Sequence, residues 1–287
     1  MGAVETLWKL NIAELFGLGE AGIDDADTDA DCSLYASDGV NGTVYKIASD
    51  RTFDAFPVAR TRSTDDGQPV LKIAVAADSS FCVADAGSGS IVRHNELGES
   101  VGELPAPGVI SLCRGPDGLI CALSSFEGND QIVIYDQIGT PVMALSAPGR
   151  RRARLDPSIA NLDCDRAGNV YVSYGMPPYR IWKVSPYGAE MQTWKRKLSY
   201  PEDAVLIADI AVDSEAGVLW ALLARRESGR QVLDAWSLDG DFLGGSLIPH
   251  SSSLFGVICA AGGSELFLLD TSSGPGAGDV LRVSVSP

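Results

Sequence analysis

Short segments of alternating apolar and polar residues, separated by turns rich in Gly, Pro and Asp, predict an all-β fold for this chain of 287 residues. Two recurring marks say how the strands are grouped. An aromatic residue or cysteine returns in a second strand at Tyr35, Cys82, Cys121, Tyr171, Trp220 and Phe267, with separations of 47, 39, 50, 49 and 47 residues. A turn glycine returns at Gly98, Gly139, Gly188 and Gly240, following its anchor by 16, 18, 17 and 20 residues. Four strands per unit at a period of roughly 40–50 residues are the pattern of a β-propeller. Six anchors predict six four-stranded antiparallel blades, with residues 1–287 as a single domain.

The first segment, residues 5–15, alternates Trp8, Leu10 and Ile12 with Lys9 and Asn11, the period of a half-buried strand. The chain ends at Pro287, where the last unit still needs an outer strand, so residues 5–15 are expected to supply it and close the ring. Blade 1 is read from Leu34–Ser37, Thr43–Ile47 and Phe53–Val58, its innermost strand falling on Ile23–Asp31. Blade 2 is read from Val70–Val75, Phe81–Asp85, Ser90–His94 and Gly102–Leu104. Blade 3 follows at Val109–Cys113, Leu119–Leu123, Gln131–Asp136 and Val142–Leu145. Blade 4 has a short apolar run from Ile159 to Leu162, then Asn169–Tyr174, Arg180–Val184 and a strand through Met191 and Trp194. Blade 5 uses Ile207–Val212, Val218–Leu223, Gln231–Ser237 and Phe242–Leu247, and blade 6 has Leu266–Asp270 and Val280–Val285.

Composition bounds the function. The net charge of −16 is uneven: residues 1–149 carry 8 Lys and Arg against 22 Asp and Glu, whereas residues 150–287 carry 14 against 16. Such acidity argues against nonspecific nucleic-acid binding, and no apolar run is long enough to span a bilayer. Within 150–197 the balance reverses to 10 basic and 4 acidic residues, a positive island suited to orienting a partner. The six cysteines show no metal-clip spacing. Cys82 and Cys121 sit at the second-strand anchor, and Cys113, Cys164 and Cys259 near the ends of first strands. A blade's width between equivalent positions predicts buried packing thiols rather than disulfides. If Met1 is the natural start, the expected location is the cytoplasm; otherwise it is a particle released from the cell.

The stretches Ile210-Ala211-Val212-Asp213 with Val218-Leu219-Trp220-Ala221, and Phe81-Cys82-Val83-Ala84-Asp85, resemble NHL repeats. The resemblance covers nearly the whole chain and implies an architecture, not an activity. Neither the Gly-His and Trp-Asp marks of WD40 blades nor the Gly-Gly pattern of kelch blades recurs.

Histidine is nearly absent, with only His94 on a strand surface and His250 in a loop, which argues against imidazole-based catalysis or a zinc site. Carboxylates are the remaining candidates. In calcium-dependent propeller hydrolases of the gluconolactonase and senescence-marker type, a Glu ahead of the first blade joins inner-strand Asn and Asp residues around one ion. Glu20 is similar to that Glu in setting, and Asn161 and Asp209 open the inner strands of blades 4 and 5, about one residue out of register. The resemblance implies Glu20, Asn161 and Asp209 as calcium ligands of a lactone or ester hydrolase, although blade 3 offers only Ile110 and Ser111. Separately, Asp25, Asp27, Asp29 and Asp31 alternate, which suits either an exposed acidic loop or a cation site.

Arg150, Arg151, Arg152 and Arg154, with Tyr179, Tyr187 and Tyr200 at loop positions, form the expected partner-binding set, since Tyr and Arg together favour a protein or glycan contact. The leading expectation is therefore a non-catalytic protein- or glycan-binding propeller without a cofactor. Its setting would be as a structural or accessory subunit of a larger assembly, such as a virion or tail component. The calcium-dependent hydrolase is the alternative.

Overall fold

The computed structural model describes residues 4–58, 70–85, 89–126, 129–146, 160–174, 180–186, 188, 191–195, 205–225, 231–248, 255–271 and 278–285. Six sheets, each of four antiparallel strands, form a six-bladed propeller. The chain opens with β1 (Val4–Asn11) and a one-turn helix α1 (Ile12–Phe16). Blade 1 is β2 (Ile23–Thr28), β3 (Leu34–Asp38), β4 (Thr43–Ile47) and β5 (Phe53–Pro57). Blade 2 is β6 (Leu71–Val75), β7 (Phe81–Asp85), β8 (Ser90–His94) and β9 (Ser100–Pro105). Blade 3 is β10 (Val109–Arg114), β11 (Ile120–Phe126), β12 (Asn129–Tyr135) and β13 (Pro141–Ser146). Blade 4 is β14 (Ala160–Cys164), β15 (Val170–Tyr174), β16 (Ile181–Val184) and β17 (Met191–Trp194). Blade 5 is β18 (Val205–Asp213), β19 (Val218–Arg225), β20 (Gln231–Ser237) and β21 (Phe242–Leu247). Blade 6 is β22 (Phe255–Gly262), β23 (Glu265–Asp270), β24 (Asp279–Val285) and, as its outer strand, β1.

Each sheet alternates its side chains between its two faces, so each blade feeds two apolar interfaces. The anchor residues all face the following blade. Tyr35 packs with Ile73 and Phe81, Cys82 with Ile120, Cys121 with Leu162, Tyr171 with Leu219, Trp220 with Leu266, and Phe267 with Leu34. A cation often covers the anchor from the next strand: Lys46 lies 5.0 Å from the Tyr35 ring centroid, Lys183 5.7 Å from Tyr171 and Arg282 5.5 Å from Phe267.

The turn glycines recur for two reasons. Gly98, Gly139, Gly188 and Gly240 have φ between +65° and +99°, and a Cβ on them would strike Phe56, Leu104, Leu145 and Trp194 respectively, each on the outer strand of the preceding blade. The glycine is thus both the hairpin turn and the point where one blade seats against the last.

Closure follows the expectation in topology and departs from it in extent. β1 runs antiparallel to β24 from Val4↔Val285 to Asn11↔Asp279, tied by Asn11 Nδ2 donating to Asp279 Oδ1 at 3.0 Å and by Lys9 against Asp279 at 2.5 Å. The strand stops at Asn11 because Asn11 Oδ1 accepts from the Glu14 N–H at 3.0 Å and starts α1, which Gly17 ends in the left-handed region. That turn seats Ile12 and Ala13 in the core between blades 6 and 1.

The cysteine expectation is corrected. Cys113 and Cys164, at equivalent places on neighbouring inner strands, form a disulfide with their Cα atoms 6.1 Å apart. Blades are wedges, so the full blade-to-blade distance applies at the rim and not beside the axis; 6.1 Å is within ordinary cystine range. Cys32, Cys82, Cys121 and Cys259 are free thiols. His94 is also corrected: it is buried, stacked on Phe81 at 4.8 Å, with its Nδ1–H donating to Gly98 O at 3.0 Å.

Removal of residues 1–11 should leave the Phe267 and Val280 side of the last interface uncovered and β24 as a bare edge. We expect the shortened chain to melt at least about 10 °C lower and to self-associate. Trp8→Ala, which removes the ring 5.7 Å from Phe267, should cost about 2 kcal/mol. Wild-type melting of the shortened chain would contradict the closure.

Candidate functional site

The six inner strands follow one another around the axis as β2, β6, β10, β14, β18 and β22, and β22 returns to β2. Each is the edge strand of its sheet, so one row of its N–H and C=O groups has no ladder partner and faces the axis. Side chains of the preceding blade fill that need. Asp24 Oδ2 accepts from Leu71 N at 2.9 Å, Asp25 Oδ2 from Ile73 N at 3.1 Å and Asp27 Oδ2 from Val75 N at 2.7 Å. These three amides alternate along β6, so the Asp residues of β2 cap one whole edge of blade 2. A register shift in β2 between Ile23 and Asp25 lets Asp24 join the row.

The device repeats further round. Leu162 N donates to Ser111 Oγ at 3.1 Å, Val212 N to Asp163 Oδ2 at 2.6 Å and Ile258 N to Asp209 Oδ2 at 2.9 Å. Carbonyls are served too: Asn161 Nδ2 donates to Ala208 O at 2.9 Å, Ser37 Oγ to Leu71 O at 2.8 Å and Thr28 Oγ1 to Ala260 O at 2.7 Å. The last of these joins blade 1 to blade 6 inside the ring. Three of the clip carboxylates also use their second oxygen on their own strand: Asp27 Oδ1 accepts from Thr28 N, Asp163 Oδ1 from Cys164 N and Asp209 Oδ1 from Ile210 N, at 2.7, 2.7 and 2.8 Å.

The alternating Asp segment is therefore not an exposed loop. Asp25 and Asp27 lie on β2 against blade 2. Asp29 is buried just beyond it, accepting from Ser33 N, Asp31 N and Ser79 Oγ, with Lys46 at 3.6 Å. Asp31 is the exposed member.

Among the described residues, two cavities line the axis. One, of about 240 Å³, is bounded by Asp25, Asp27, Asp163, Asp209, Arg114 and Arg166 among others. The other, of about 330 Å³, meets Asp24, Asp25, Lys72, Asn161 and Asp209. Asp25, Asp27 and Asp163 expose some surface to these cavities, but the inner strands packed around them leave their charge poorly hydrated. Burial pushes Asp24 and Asp27 up to about 7, against the pull of their backbone N–H donors. Burial, reinforced by the Asp25 carboxylate, pushes Asp209 up to about 8, and burial with Asp27 and Asp209 nearby raises Asp163 well above the ordinary range. Buried Lys72 offsets part of this for Asp24, Asp25 and Asp209, as Arg114 does for Asp27.

Asn161 and Asp209 are thus brought to one cavity, but Glu20 is not with them. Glu20 is exposed, and its backbone carbonyl accepts from Asn41 Nδ2 at 3.0 Å. Asn161 turns its amide to Ala208 O, and both Asp209 oxygens face N–H donors, with Lys72 on the same cavity. This donor set does not fit a calcium ion, which needs about 6–8 free oxygens. Arg150, Arg151, Arg152, Arg154, Tyr179, Tyr187, Tyr200 and His250 lie outside the described residues. No helix among the described residues is long and apolar enough to cross a membrane.

No family model and no curated protein matches the sequence. Solved structures share the fold over 99% of this chain. They include a gluconolactonase from Xanthomonas campestris (17% identity, TM-score 0.62, 90% of that chain) and virginiamycin B lyase from Staphylococcus aureus (11%, 0.60, 99%). The WD40 repeats of RRP9 also match (10%, 0.67, 100%). At these identities the likeness is one of fold.

The raised carboxyls set a pH dependence. Because they bind a proton more tightly folded than unfolded, their contribution to stability is complete below about pH 4 and is withdrawn as pH rises through 7 and 8. Buried His94, held below its ordinary value by desolvation, acts at lower pH. Between pH 6.5 and 8.5 we expect a loss on the order of 3 kcal/mol, roughly 6 °C in Tm, and a shallower loss in Asp27→Asn. A Tm that rises over this interval would contradict the assignment.

Proposed function

We propose that this chain is a non-catalytic protein-binding propeller that works as a subunit of a larger assembly, its blades being of the NHL type. The observation that carries the reading is how the axis is used. Asp27, Asp163 and Asp209 accept backbone N–H bonds through both oxygens, so they join blades and are not left free to hold substrate or metal. A hydrolase needs at least some axial groups left free for the reacting atoms.

The rim supports the same reading. Counting from the turn glycine, Leu97 and Ile138 occupy equivalent places in blades 2 and 3, as do Val101 and Val142 on the outer strands and Leu243 in blade 5. Leu97 is 67% exposed and Ile138 77%, and all five side chains reach solvent. A repeated apolar girdle among acidic neighbours such as Glu99 and Glu103 suits a partner that brings apolar side chains flanked by basic ones. The basic segment from Arg150 to Arg154 would serve as a second, oppositely charged contact.

The test is affinity purification of the tagged chain from its native source. Val101→Glu with Val142→Glu should reduce the co-purifying partner at least tenfold with Tm unchanged, and Arg150→Glu, Arg151→Glu and Arg152→Glu together should weaken it further. Calcium-dependent lactone or ester hydrolysis by the purified chain, abolished by Asp209→Asn, would overturn the reading in favour of the hydrolase.

A further inference from the structure

Three cysteines meet where blades 3 and 4 join. Cys121 stands directly opposite Cys113 across β10 and β11, and Cys164 ends β14 of the next blade. Their three sulphurs lie within 4.8 Å of one another, and all three residues are buried. The Cys113–Cys164 disulfide accounts for two of them and leaves the third without a role.

Packing alone does not require sulphur at all three places, since their neighbours Leu123, Ile134, Leu162 and Val172 are ordinary aliphatic residues. Nucleophilic use of Cys121 is disfavoured, because burial pushes its thiol up to about 12. A bound metal can displace such a proton. Tetrahedral coordination at about 2.3 Å places thiolate sulphurs about 3.8 Å apart, within the spread seen here. Cys113 and Cys164 also border the axial cavity of about 240 Å³, together with Arg114 and Arg166. The cavity gives an ion a route to the cluster from the axial side.

We propose that, once the Cys113–Cys164 disulfide is reduced, Cys113, Cys121 and Cys164 bind one thiophilic metal ion, so that blades 3 and 4 are joined either by a cystine or by a metal. The reductant is a low-molecular-weight thiol: two of its molecules supply two electrons and two protons, and leave as their own disulfide. Binding of a divalent ion then releases three thiol protons to solvent and forms three metal–sulphur bonds.

Cadmium is the probe. The folded chain is reduced with excess thiol, desalted without oxygen and titrated with Cd²⁺, following thiolate-to-cadmium charge-transfer absorption and resistance of each cysteine to alkylation. We expect one ion per chain and at least tenfold slower labelling of Cys113, Cys121 and Cys164, with Cys32, Cys82 and Cys259 unchanged. Cys121→Ala should lower the affinity at least tenfold, whereas Cys82→Ala should not. Mapping protection on the wild-type chain keeps the test valid if a variant fails to fold. The proposal is overturned if cadmium protects other cysteines, if the reduced folded chain takes up none, or if the disulfide cannot be reduced while the chain stays folded.

Discussion

The free edge of the inner strand is the constraint from which the rest of the structure follows. Four strands satisfy one another's backbone groups everywhere except at the axis and the rim. At the rim water is available. At the axis six edges converge in a narrow space, and an unpaired buried N–H costs about 1–3 kcal/mol. Aspartate answers this better than an alcohol because its two oxygens can take one amide from its own strand and one from the next blade, as Asp27, Asp163 and Asp209 do. The carboxylates themselves become hard to hydrate, which is why Asp24, Asp27 and Asp209 hold their protons to near neutrality and above. Backbone satisfaction and carboxylate desolvation are opposite sides of one arrangement.

The ring has two closures at different radii. At the rim, β1 pairs with β24 and joins the first strand of the chain to the last. Near the axis, Thr28 Oγ1 reaches Ala260 O, joining blade 1 to blade 6. Between them lies an apolar cluster in which Ile12 from α1 is buried together with Tyr45 of blade 1 and Phe267 of blade 6. A closure made at one radius alone would let the blades hinge; made at both, it fixes their angle.

Much of this was legible in the residues. The aromatic or cysteine anchors could be found because every one of them faces the same way, and the turn glycines because a Cβ would strike the neighbouring blade. The closing strand was legible from its alternation, whereas α1 was not: Ile12 and Leu15 fit either period, and only Asn11 and Gly17 mark the turn. Asp25 and Asp27 looked like a surface feature because their partners, Ile73 N and Val75 N, lie 48 residues away and backbone amides leave no trace in composition. The regular use of Asp or Ser at inner-strand positions 25, 27, 111, 163 and 209 was the available signal. The burial of His94 was not legible, because strand alternation alone does not say that Phe81 covers it. The Cys113–Cys164 pairing was not legible, because a mean blade spacing hides the taper toward the axis. Glu20, Asn161 and Asp209 could be named from resemblance, but where Glu20 stands depends on a loop that sequence does not position.

The most direct measurement of the central claim is native-state hydrogen exchange at the amides of Val75, Val212 and Ile258, which donate to Asp27, Asp163 and Asp209 of the preceding blade. If carboxylate clips hold the inner edges, these three amides exchange only through global unfolding, as slowly as the amides in the middle of each sheet. Exchange at the rate of solvent-exposed edge amides would contradict the account, because the inner strands would then be held by packing alone.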